Sequence, residues 1–95
     1  MPGYVIIQAE IIDKKRFQQY LEKSPEIIAK YGGRYIARGG ETFVFEGDAT
    51  KQRVVIIEFP SLEKAEEWYY SEEYQEIKAL REGSAIGSLF AVEGC

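Results

Sequence analysis

Apolar and polar residues alternate along some stretches of this chain and recur at three- and four-residue spacing along others. Tyr4 to Ile11 alternates with a period of two, which predicts a strand. One face of it, Val5, Ile7, Ala9 and Ile11, is wholly apolar. The other, Tyr4, Ile6, Gln8 and Glu10, turns polar along its length. Such asymmetry predicts one face under helices and one left open. Asp13 then has the side chain of a helix N-cap. Phe17, Tyr20, Leu21, Ile27, Ile28 and Tyr31 follow at helical spacing, with a kink or restart expected at Ser24-Pro25. Gly32-Gly33 ends that helix.

Arg34 to Arg38 is a second predicted strand, bent or broken by Gly39-Gly40. Thr42 to Glu46 is expected to resume as strand, with a turn over Gly47-Asp48-Ala49-Thr50. Arg53 to Phe59 returns, so Glu41 to Phe59 is expected to be a long-looped hairpin. Ser61 caps a helix with Leu62, Ala65, Trp68 and Tyr69 on its apolar side. Ser71 is a second cap, before the stripe Tyr74, Ile77 and Leu80. Leu89 to Glu93 forms the last strand. The order β-α-β-β-α-β predicts an α+β, ferredoxin-like fold of one domain over residues 1–95. Two helices would cover one face of a four-stranded antiparallel sheet. The other face, bare and apolar, predicts association into a homodimer.

Composition narrows the chemistry. The 95 residues are few for a self-sufficient core, which again favours a partner subunit. No apolar run approaches the ~20 residues of a membrane span, and no signal-peptide pattern opens the chain. The formal net charge of −4, with its basic residues scattered, argues against nucleic acid. His is absent and the single cysteine is Cys95, so no metal site and no cofactor is expected. That cysteine usage suits a reducing compartment, and a cytoplasmic location is expected. Neither Gly32-Gly33 nor Gly39-Gly40 lies between a strand and a helix, which excludes a phosphate-binding glycine loop.

With His absent, acid–base chemistry falls to other groups. Glu58 sits near the end of a strand that reads as buried, and Arg38 sits similarly in the strand before it. Strand parity places Glu58 with Val54 and Ile56, Arg38 with Ile36, and Gln8 with Ile6, all facing away from the helices. A bulge at Gly39-Gly40 would shift Arg38 by one. Two readings stand. Arg38 and Glu58 are a catalytic pair, Arg38 holding an anionic ligand and Glu58 moving a proton. Alternatively, they are a buried ion pair that sets dimer register. Gln8, Trp68 and Tyr69 are candidate ligand-binding residues, although an aromatic stripe at helical spacing also suits a core. Ser71 reads as a cap rather than a nucleophile, and Cys95 as inert.

Three ordered motifs carry a resemblance. They are Gly32-Gly33-Arg34-Tyr35-Ile36-Ala37-Arg38-Gly39-Gly40, Arg53-Val54-Val55-Ile56-Ile57-Glu58-Phe59-Pro60-Ser61 and Trp68-Tyr69-Tyr70-Ser71-Glu72-Glu73-Tyr74-Gln75. With Glu46-Gly47, Leu80-Arg81 and Val92-Glu93-Gly94, the sequence resembles the DUF1330 family of the dimeric α+β barrel superfamily. The resemblance implies a homodimer whose two sheets face each other as a barrel. It implies no reaction, because the family is named for its unknown function. Superfamily relatives include cofactor-independent monooxygenases, haem-dependent enzymes, ligand-sensing domains and small isomerases. Roles that need a His do not transfer to this chain. What the resemblance leaves is a small-molecule ligand, bound between sheet and helices or inside the barrel.

Overall fold

The computed structural model describes residues 1–47 and 53–95. Its elements are β1 (Gly3–Ile11), α1 (Lys14–Lys30), β2 (Arg34–Arg38), β3 (Arg53–Phe59), α2 (Leu62–Tyr70), α3 (Glu72–Arg81) and β4 (Ala85–Glu93). The four strands form one antiparallel sheet in the order β2-β3-β1-β4. The helices pack on a single face, giving a slab only 16 Å thick against 34 and 31 Å in its other dimensions.

The core follows from the parity of β1 and β3. Val5, Ile7 and Ala9 alternate inward with Val55, Ile57 and Phe59. Onto them pack Phe17, Tyr20 and Ile28 of α1, Ala65 and Trp68 of α2, and Tyr74 and Ile77 of α3. Trp68 sits 5.4 Å from Phe59 and 4.4 Å from Tyr74, centroid to centroid. Beneath this aromatic cluster the Tyr20 and Tyr74 hydroxyls share a buried hydrogen bond of 3.1 Å.

The helix starts are where the polar caps put them. Asp13 accepts from the Arg16 N–H, and Ser61 from the Lys64 N–H, each at 3.1 Å. Ser71 accepts from the Tyr74 N–H at 3.1 Å and donates to the Trp68 carbonyl at 2.7 Å. One hydroxyl therefore closes α2 and opens α3. Three helices, not two, cover the sheet as a result. α1 runs unbroken through Pro25, without the expected restart at Ser24-Pro25.

The middle of the chain departs from expectation. Glu41 to Gly47 is exposed and irregular, not a strand. Gly39, at φ +70°, donates its N–H to the Val54 carbonyl at 2.8 Å as β2 ends. Beyond it Phe43, Val44 and Phe45 have no described neighbouring strand to pair with and are 75%, 50% and 94% exposed. The turn expected over Gly47-Asp48-Ala49-Thr50 lies, apart from Gly47, outside the described residues. β4 begins at Ala85, four residues earlier than the alternation at Leu89 suggests. Gly87 permits that extension. A Cβ there would lie 1.9 Å from the Gln8 carbonyl oxygen, so β1 and β4 could not approach as they do.

Candidate functional site

β2 carries an irregularity that decides where its charged residues point. Arg34 pairs with Glu58 and Tyr35 with Ile57, but Ala37 then pairs with Ile56 and Arg38 with Val55. Ile36 is the extra residue of a β-bulge. Opposed residues on paired strands share a face. Arg38 therefore lies on the helix-covered face with Val55, and Glu58 on the open face with Arg34. The expected Arg38–Glu58 pair does not form. The bulge sits at Ile36, ahead of Gly39-Gly40, and it moves Arg38 across the sheet.

Glu58 takes Arg34 instead. The Arg34 Nη2 lies 2.7 Å and its Nε 2.8 Å from Glu58 Oε1. Tyr4 stands opposite Glu58 on β1. Its phenol is pushed above the ordinary tyrosine pKa, by desolvation first and then by the Glu58 carboxylate. Gln8 shares this open face but pairs with Val54 and Ser88, four residues along β1 from Tyr4. At the rise of an extended strand that is about 13 Å. Gln8, Arg38 and Glu58 thus form no common spot.

Glu10 and Ser88 share the Gln8 end of this face, and between that end and the Arg34–Glu58 pair it is mainly apolar. Ile6, Val54 and Ile56 are half-buried, and Ile36, Ile86, Phe90 and Val92 are 47–61% exposed. No described segment covers them.

Trp68 and Tyr69 line a shallow cleft between α2 and β4, with a volume of about 310 Å³. Leu89, Phe90 and Ala91 form its opposite wall, and Glu66 is the one charged residue among the described residues that line it. Trp68 is fully buried, and its Nε1 has no hydrogen-bond partner among the described residues. Tyr69 is half-buried while Tyr70 is 74% exposed, as the 100° step of a helix requires.

A second cavity, of about 20 Å³, lies at the far end of the helix-covered face. Arg38, Arg53 and Arg81 all line it, beside Phe17, Tyr20 and Tyr35. The Arg38 guanidinium sits 4.3 Å from the Tyr35 ring centroid, and that of Arg53 5.9 Å from the Phe17 centroid. Partial burial, followed by the neighbouring Arg38 charge, lowers the Arg53 pKa from its ordinary value. Arg53 and Arg81 were both readable as inward-facing. Arg53 has the parity of Val55, Ile57 and Phe59, and Arg81 extends the helical stripe of Tyr74 and Ile77.

A family model matches residues 2–95, and its description is "Domain of unknown function (DUF1330)". The chain belongs to the DUF1330 family. No curated protein matches this DUF1330 chain. Among solved structures it is similar to RPA0582, a protein of unknown function from Rhodopseudomonas palustris. The TM-score is 0.80 at 16% identity, covering 99% of this chain and 82% of that one. The methylated form of RPA0582 gives a TM-score of 0.79 at 17% identity, covering 99% and 81% respectively. At this identity the similarity establishes the fold alone.

Proposed function

We propose that this DUF1330 protein is a homodimeric module in which two ferredoxin-like protomers face their sheets together as an α+β barrel, and that it binds a small organic molecule. The observation that carries this reading is the uncovered apolar sheet face. Ile6, Ile36, Val54, Ile56, Phe90 and Val92 lie on one side of a slab 16 Å thick, and apolar patches of this extent mark association surfaces. The strand order β2-β3-β1-β4 supports the ferredoxin-like description.

The Arg34–Glu58 pair fits the register role first assigned to Arg38 and Glu58. It is a mutually neutralised pair at the end of the apolar face, so a facing sheet meets a cation and its anion rather than a lone charge. Proton transfer by Arg38 and Glu58 acting on one substrate has less support, because the two lie on opposite faces of their protomer. The organic ligand is best accommodated in the cleft that Tyr69 lines above the fully buried Trp68; the cleft's size and aromatic lining suit an uncharged or weakly polar body. A cytoplasmic setting accords with the lone, exposed Cys95.

Sedimentation equilibrium tests the dimer. The native chain is expected at twice its mass, and Ile56→Lys, which puts a charge in the middle of the open face, is expected to be a folded monomer. A monomeric native chain at high micromolar concentration would overturn the reading.

A further inference from the structure

Three arginines, Arg38, Arg53 and Arg81, line the small cavity at the end of the helix-covered face. No carboxylate is among the described residues that line it. The ion pairs among the described residues use Lys30, Arg34, Lys64 and Lys78, and none uses Arg38, Arg53 or Arg81. Acidic side chains are not scarce, since 16 Asp and Glu outnumber 12 Lys and Arg. Like charges gathered in a partly dry pocket repel, and each loses hydration. A fold that only needed to fill this space would place apolar groups there, as it does with Ile7 and Ile57 alongside.

The arrangement has the order of a binding site. Arg38 is exposed at the mouth, and Arg53 and Arg81 are half-buried further in. The Arg81 Nε is shielded from solvent and has no hydrogen-bond partner among the described residues. Tyr35 and Phe17 hold the Arg38 and Arg53 guanidinium planes by cation–π contact. Gly39 closes over Arg53 so tightly that a Cβ would stand 2.7 Å from its Nε.

We propose that Arg38, Arg53 and Arg81 form an anion-binding site for the carboxylate of a small organic acid. A guanidinium presents two parallel N–H donors that match a planar carboxylate, and such charge-assisted bonds are strong. The volume of about 20 Å³ takes a group of that size and little more. The remainder of the acid lies outside, beside Arg38. The site stands apart from the dimer reading, because it is on the helix-covered face and the dimer would use the other.

The test follows arginine Nε–H resonances of the full-length protein during titration with sodium acetate, with sodium chloride holding ionic strength constant. Saturable shifts are expected at Arg53 and Arg81, with none at Arg34. Arg53→Gln is expected to weaken acetate binding about tenfold or more, the loss typical of one hydrogen bond to a charged group. Arg34→Gln, which removes the same charge from the open face, is expected to change it less than about twofold. Arg38→Gln at the exposed mouth repeats the test if Arg53→Gln folds poorly. Without acetate, the loss of either arginine is expected not to lower the melting temperature, because it relieves repulsion. Absence of saturable binding, equal binding by Arg53→Gln and Arg38→Gln, or tighter binding of inorganic phosphate than of acetate would each overturn the proposal. Dimer mass, measured on the same samples, keeps this outcome separate from that of the dimer reading.

Discussion

The two faces of this sheet treat charge in opposite ways. On the open face, Glu58 is matched by Arg34 at 2.7 Å. On the helix-covered face, Arg38, Arg53 and Arg81 share a cavity with no described carboxylate among its lining residues. The contrast runs against simple expectation, since the drier side is the worse place for cations without a described counter-charge. It teaches that exposure alone does not tell where binding chemistry lies. A matched pair on an apolar surface suits docking against another surface. Cations around a cavity with no described counter-charge suit a small anion that arrives from solution.

The comparison breaks most severely if the helix-covered face loses its centre. Trp68→Ala removes the largest fully buried side chain. It is expected to cost about 3–5 kcal/mol, read from chemical denaturation. Trp68 packs on Phe59 and Tyr74 rather than on the arginine cavity, so the cavity and the Arg34–Glu58 pair would both be affected only through global unfolding.

Tyr20→Phe is a gentler probe of the same face. It removes one member of the Tyr20–Tyr74 hydrogen bond and is expected to cost about 1 kcal/mol. It also carries a pH signature. Burial first, and then Tyr74, raises the Tyr20 pKa well above its ordinary value of 10.0. A raised folded-state value means that the protonated phenol is favoured by folding. Its contribution is fully present below the unfolded tyrosine pKa and is lost as pH rises through the folded value. Stability of the native chain should therefore fall above about pH 10, and Tyr20→Phe should flatten that alkaline limb. An alkaline limb equally steep in both proteins would remove Tyr20 as its source.

Glu58→Gln gives the smallest effect on folding and sharpens the contrast most. The Arg34 side chain is 72% exposed, so the pair adds at most about 1 kcal/mol to an isolated protomer. Ultraviolet titration is expected to show the Tyr4 phenol ionising at lower pH in the variant, because the carboxylate charge that helps hold it up is gone. Affinity of the proposed dimer is expected to fall while acetate binding at the proposed arginine site stays unchanged. A change in acetate binding with intact dimer affinity would show that the two faces are not independent.

Much of the fold was legible because it rests on uninterrupted periods. Val5, Ile7 and Ala9 face inward as their alternation requires, and Asp13, Ser61 and Ser71 cap helices as their side chains allow. The errors fall where a period is broken or lacks a partner. Phe43, Val44 and Phe45 look like strand residues, yet strand propensity needs a neighbouring strand to express it. Arg38 was misplaced because parity propagates any unseen insertion to every later residue. Nothing in Tyr35-Ile36-Ala37 marks Ile36, a β-branched residue that favours strands, as the one to be squeezed out. Arg53 and Arg81 show the converse. Their periods were intact, but charges at strand and helix ends are usually solvated, and only the folded chain brings the two into one cavity.

The bulge at Ile36 has a mechanical meaning for the ends of β2. A regular ladder would tie Arg34 and Arg38 to one register, so that any slip displaced both together. With slack held at Ile36, the segment before it answers to Glu58 and the segment after it to Val55. A chain one residue shorter at that point could keep both attachments by straightening. The open face and the arginine cavity can therefore each be tuned by nearby sequence change without dragging the other out of alignment.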